Sequence, residues 1–224
     1  MTLEQFNLEF DILFNSISSN VAPSLSPLEK SILLTQAQEL LVKEYYSGDI
    51  TGNSFEKNEE SKEYLNTLVT QTTATEKPTV LDVPFNYKSY ELPTDLLYIV
   101  NEVITVKNKC NESLSSVLRV KPSSNDEYIK SLDNPFTGPL GNIVLRRIEN
   151  NTIFLYPPNT EEVKSYFITY IKRPEPIVLL GIEDAPAPYK QYIENGNNCS
   201  LPESCHQDVL LRAVQLARNV WVSQ

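Results

Sequence analysis

The sole histidine, His206, stands beside Cys205 and six residues after Cys199. A thiol, an imidazole and a second thiol this close could ligate a metal or form a nucleophile–base pair. A structural zinc site needs four ligands, typically in CxxC or HxxxH spacing. The chain has three cysteines, Cys110, Cys199 and Cys205, and one histidine, in no such spacing. Cys205 and His206 are also adjacent, so on a helix they point about 100° apart. A helix N-terminus lowers a thiol pKa, but there is no second histidine to act as base. The expectation is a structural role for this stretch, with no metal, no cofactor and no catalytic residue.

Other chemistry is less evident. Glu59-Glu60 and Glu161-Glu162 sit in polar company and read as solvated faces. An Asp/Glu pair working as acid and base across the fold is invisible in sequence, so a hydrolase stays as a third reading. The basic doublets are Arg146-Arg147 and Lys172-Arg173. Neighbours on a strand face opposite ways, so each doublet puts one charge on each face of a sheet. Solvation is one reading. The other is pairing with an acidic face of an adjacent subunit, which makes Arg146, Arg147, Lys172 and Arg173, with Trp221, the candidate subunit-contact residues.

The charge is uneven. The net is −10; residues 1–70 hold 11 acids and 4 bases, while residues 114–173 hold 6 acids and 8 bases. Such a chain lacks the dense Lys and Arg that grip nucleic acid. An odd cysteine count argues against a disulfide framework and for a reducing place of folding. MTLEQFNLEF has no basic region followed by an apolar run, so no signal peptide is expected, and no stretch reaches membrane-span length.

The elements follow from spacing. Leu3, Phe6, Phe10, Leu13, Phe14 and Ile17 predict an amphipathic helix over 3–18, with Thr2 and Gln5 at capping-box spacing. Ser26-Pro27-Leu28-Glu29 is a helix start with a capping box, and Gly48 is its stop. The apolar side runs through Leu28, Ile32, Leu34, Ala37, Leu41 and Tyr45. A third, more polar helix is expected from about 55 to 69. From residue 78 the runs TVLDVPF, LLYIVNEVITVKN, LSSVLRVKP, NIVLRRIE, TIFLYP and SYFITYIKRP read as strands. Asn150-Asn151 joins two of them as a hairpin. SNDEYIKSLDNPF predicts one short helix, and residues 180–200 a long loop. Ser200 and Glu203 stand at capping-box spacing before a last helix over 201–222, whose face is Leu210, Ala213, Val214, Ala217, Val220 and Trp221.

The fold expected is therefore α+β: a helical bundle, made of an N-terminal hairpin and a C-terminal helix, with an inserted antiparallel β region. Residues 1–72 and 200–224 form the helical body. Residues 73–199 form the β-rich insertion with the long loop.

The stretches NSFEKNEESKEYLNTLV (53–69), YELPTDLLYIVNE (90–102), LDNPF (132–136), YIKRPEPIVL (170–179) and LPESCHQDVLLRAVQLA (201–217), in this order, resemble the connector or tail-ring proteins of short-tailed bacteriophages, most closely those of crAss-like phages. The resemblance spans most of the chain. It implies a non-enzymatic virion protein, folded in the host cytoplasm, whose copies form a ring, twelvefold in such proteins, beneath the portal protein. The ring extends the DNA exit channel and docks further tail or ring proteins; genomic DNA passes without specific binding, and no membrane is involved. An acidic wall would repel the DNA backbone, and segregated charge suits the head-to-tail contact of a closed ring. The alternative is a β-sandwich module binding a glycan or a protein.

Overall fold

Ser26 opens the longest helix as the spacing requires. In the computed structural model its hydroxyl accepts from the Glu29 N–H at 3.3 Å and the Glu29 carboxylate accepts from the Ser26 N–H at 2.7 Å. Pro27 sits at the first helical position, and Gly48 closes the helix at φ 84°, a left-handed conformation that glycine adopts without strain. The structure describes residues 1–15, 24–48, 55, 58–78, 86–108, 115–124, 130, 134, 136, 142–158 and 160–222; for 221 and 222 it describes the backbone alone. The expected strand TVLDVPF and the expected short helix in SNDEYIKSLDNPF fall outside these residues, apart from isolated positions.

The chain divides into two compact units, residues 1–68 with 173–224 and residues 69–172. The first is helical: α1 (Leu3–Asn15), α2 (Pro27–Ser47), α3 (Glu59–Leu65) and α4 (His206–Val222). On α1, Phe6, Phe10 and Phe14 recur every four residues and are buried, as a helix with one apolar face dictates. Thr2 and Gln5 cap it reciprocally, at 2.8 and 3.2 Å. Val209, Leu210, Ala213, Val214 and Ala217 form the buried face of α4, which packs on α1 and α2. The third helix is shorter than expected. Asn58 caps it, its last turn tightens to a 3-10 turn at Asn66–Leu68, and Val69 already pairs with Ile171. Sheet pairing takes over where the apolar period still reads as helix.

Among the described residues the second unit is an eight-stranded sheet: β1 (Val69–Thr73), β2 (Glu76–Lys77), β3 (Lys88–Glu91), β4 (Leu96–Asn108), β5 (Ser115–Pro122), β6 (Ile143–Glu149), β7 (Thr152–Tyr156) and β8 (Glu161–Lys172). The order is β1-β8-β4-β5-β6-β7-β3-β2. β1 and β2 stand at opposite ends of that order, yet Ala74 and Thr75 alone separate them in the chain. The Ala74 N–H donates to Tyr166 O on β8, and Thr75 O accepts from the Glu91 N–H on β3, both at 2.9 Å. One stretch therefore holds both ends, and the sheet must curl. β5 also changes partner midway: residues 115–118 pair with β4, and 119–122 with β6. A strand that switches partners at a bend is how a sheet turns a corner. The β5–β6 pair is parallel, so the sheet is mixed and the expectation of a wholly antiparallel region is corrected. The reason lies in the connection: β5 and β6 are separated by some twenty residues, long enough for a crossover, whereas a tight turn would have forced them antiparallel.

The curled sheet encloses Tyr90, Ile104, Val106, Leu118, Val144, Ile153, Leu155, Val163, Tyr166 and Ile168. The expected hairpin forms between β6 and β7, with Asn150 at φ 46° and Asn151 at φ 60°. Positive φ at both central residues is the turn whose twist matches that of the strands.

Candidate subunit-contact surface

The capping box expected at Ser200 and Glu203 does not form. Pro202 holds the chain extended, with φ −56° and ψ 155°, a 3-10 turn spans Glu203–Cys205, and α4 begins at His206. Ser200 Oγ instead accepts from the Glu175 N–H at 3.2 Å. His206 is 4% exposed. The Met1 nitrogen, which can only donate, lies 2.7 Å from Nδ1, so Nε2–H donates to Leu201 O at 3.0 Å. Phe6 packs against the ring, with centroids 5.4 Å apart. Burial holds the imidazole below its ordinary pKa, against the pull of the Leu201 carbonyl. Burial also pushes the Cys199 thiol up to about 12 and raises that of Cys205. Both shifts disfavour the thiolate, the form that attacks and ligates. Cys110 lies outside the described residues. Among the described residues no three His, Cys, Asp or Glu side chains gather as a metal site would require. The stretch locks α4 to the N-terminus of α1.

The chain just before the expected 180–200 loop, and Ser200 at its end, are anchored on α2. Ser31, Thr35 and Gln38 lie on one face and are buried. Ser31 Oγ accepts from the Leu179 N–H at 2.9 Å and Thr35 Oγ1 from the Ile177 N–H at 3.0 Å. Gln38 donates to Glu175 O and accepts from the Ser200 N–H, both at 2.8 Å. The helix thereby gives the backbone of residues 175–179 hydrogen-bond partners that no strand supplies. Val178 and Asn197 then bridge the loop at 2.8 and 2.9 Å. Gly196, at φ 66°, seats here because a Cβ would meet Val178 O at 2.9 Å. Ile182 and Ala185 are buried beside Leu28 and Tyr189. No local spacing announces this contact, because its partners lie more than a hundred residues further along the chain.

The basic doublets have different fates. Arg146 is 12% exposed, and its Nε lies 3.3 Å from Glu102 Oε2. Glu102 also accepts from the Tyr166 hydroxyl. Burial raises the Glu102 pKa, while Tyr166 and Arg146 pull it down. Arg147 lies over the Phe154 ring, 5.0 Å from its centroid, and reaches Glu149 at 3.1 Å. Both arginines thus have partners inside the sheet unit. Lys172, half-buried, ends β8, and Arg173 is exposed at the start of the returning helical unit. Trp221 lies on the last turn of α4, and its side chain is outside the described set.

Exposed apolar side chains mark the remaining surface. On the helical unit these are Leu8 and Ile12 of α1, Leu180, and Leu211 and Val220 of α4. Phe14, Leu25, Ile32, Leu33, Ala217 and Val220, with Glu29, line a groove of about 210 Å3. On the sheet unit Val117 is 66% exposed. Leu8, Ile12, Leu211, Val220 and Val117 are exposed, while Phe14 and Ala217 reach the groove from the buried faces of α1 and α4.

Comparison with known proteins agrees with an assembling, non-catalytic subunit. The family model described as phage tail ring protein 3/4 matches residues 1–222. The class is that of structural proteins of a bacteriophage tail, not enzymes. The chain belongs to the phage tail ring protein 3/4 family. It is 34% identical over 222 residues to "Ring protein 3" of Bacteroides phage crAss001, covering 97% of this chain and 95% of that protein. It is 28% identical over 230 residues to "Ring protein 4/5" of the same phage, covering 97% and 92%. Among the described residues no helix is long and apolar enough to cross a membrane.

Proposed function

We propose that copies of this chain close into a twelvefold ring within the tail, stacked beneath the portal protein, where they extend the channel for genomic DNA and dock further ring or tail proteins. The observation that carries this reading is the family match over nearly the whole chain, with two relatives that both bear the name of ring proteins. A net charge of −10 supports a channel wall that DNA slides past without binding, because like charge repels the phosphate backbone. The chain folds in the host cytoplasm before assembly. Helices make the ring body and the inserted sheet unit meets neighbouring proteins. Lys172, Arg173 and Trp221 belong to the subunit contact, while Arg146 and Arg147 support it from within the sheet. Negative-stain microscopy of the purified chain, alone and with the portal, tests this. Closed rings are expected; single particles in both samples overturn it.

A second reading is a β-sandwich module that binds a glycan or a protein. One observation favours it: a hollow of about 250 Å3 lined by Thr72, Thr73, Thr75, Glu91, Thr94 and Tyr170, hydroxyl-rich as a sugar site would be. Binding to a glycan array by particles that never form rings would favour this reading over the first.

A further inference from the structure

With Arg146 and Arg147 paired internally, the unsatisfied positive charge of the sheet unit lies elsewhere. On β5 the burial alternates: Leu118 and Val120 face inward, and Val117, Arg119 and Lys121 form an exposed row. Alternation along a strand puts these three on one face. Ile143 of β6, 37% exposed, pairs directly with Arg119 and extends the row. Neither the Arg119 nor the Lys121 side chain has a hydrogen-bond or ion-pair partner among the described residues. The row thus combines two cations unpaired among the described residues with two exposed aliphatic side chains, a composition suited to an interface.

The two units differ sharply in charge. Residues 1–68 and 173–224 hold 17 acids and 8 bases, a net of −9; residues 69–172 hold 12 acids and 11 bases, a net of −1. Helical units of neighbouring copies therefore repel one another, and a contact between one copy's sheet unit and the next copy's helical unit does not. A closed ring requires just such an unlike pair of faces. On the helical unit, Glu60 and Glu63 of α3 and Asp208 of α4 are exposed. They flank the tilted Tyr45–Tyr64 pair, whose centroids are 4.9 Å apart and whose hydroxyls donate to Asp208 and Glu60. These hydrogen bonds fix the two carboxylates in place.

We infer that the exposed β5 row, Val117, Arg119 and Lys121 with Ile143, is a head-to-tail docking surface for the acidic helical unit of a second copy, at Glu60, Glu63 and Asp208. The inference rests on the ring reading above and specifies its contact. The test uses the full chain in four forms: wild type, R119E/K121E, E60K/E63K, and all four substitutions together. Assembly is followed by sedimentation velocity at low and high salt, with the portal present as a template, and thermal unfolding checks that each variant folds. The expected result is at least a tenfold weaker association for either double variant, recovery in the fourfold variant, and weakening of wild type by salt. Assembly of R119E/K121E equal to wild type, or no recovery in the fourfold variant, overturns the inference while leaving the ring reading intact. So does unchanged assembly with reduced retention of duplex DNA, which would make the row a nucleic-acid contact. A wild type that never assembles removes the ring reading itself, and this inference with it.

Discussion

Ser31→Ala tests the anchoring of the returning chain on α2. The substitution removes one hydroxyl and no carbon. Ser31 is fully buried, and its Oγ is the acceptor for the Leu179 N–H at 2.9 Å. Leu179 is 1% exposed, so water cannot replace the lost partner. An orphaned buried N–H costs about 1–3 kcal/mol. Alanine is the better helix former by about 0.5 kcal/mol, which leaves a net loss of about 0.5–2.5 kcal/mol. Adding Thr35→Val orphans the Ile177 N–H as well, two residues earlier in the same segment, and brings the loss to a sizeable share of the about 5–15 kcal/mol that holds a typical domain. Denaturant unfolding gives the energies, and amide exchange at Leu179 and Ile177 gives the location. Ser31→Thr, which keeps the acceptor, should keep the Leu179 amide protected. A Ser31→Ala protein within about 0.3 kcal/mol of wild type, with Leu179 still slow to exchange, would refute the anchoring.

Three other outcomes follow from the geometry. Arg146→Met leaves the buried Glu102 carboxylate without its cation and should cost about 3–5 kcal/mol in denaturant unfolding, most of it regained in Arg146→Met/Glu102→Gln. At the β6–β7 turn, Asn150→Ala should cost about 1–2 kcal/mol because alanine resists φ 46°, while Asn151→Gly should be neutral or stabilising in a thermal melt. The buried imidazole of His206 has its folded pKa below the ordinary 6.5. The unfolded chain therefore takes up a proton first, and stability present above pH 6.5 is lost as pH falls toward the folded pKa. His206→Gln, which can accept from Met1 N and donate to Leu201 O, should flatten that part of the stability–pH curve.

What the sequence revealed and concealed follows from how local each cause is. Ser26 and Glu29 are three residues apart, and Asn150-Asn151 is a dipeptide, so the α2 start and the β6–β7 hairpin were legible. The α1 face was legible because Phe6, Phe10 and Phe14 repeat within one helix. β1 (VTQTT) and β3 (KSYE) were missed: they are short and polar, and pairing with β8 and β7 makes them strands. Arg146 finds Glu102 from 44 residues away, a pairing no spacing announces. The roles of Ser31, Thr35 and Gln38 had no local signal, because their partners, Leu179, Ile177, Glu175 and Ser200, lie more than a hundred residues on. Ser200 misled in the opposite way, since its hydroxyl serves Glu175 rather than the next helix.

The most direct measurement for the central claim is the mass of the particle in solution, by light scattering, for the chain alone and with the portal protein. A closed ring predicts twelve times the 25.5 kDa protomer mass in at least one of the two samples. A 25.5 kDa species in both, at every concentration, would contradict it.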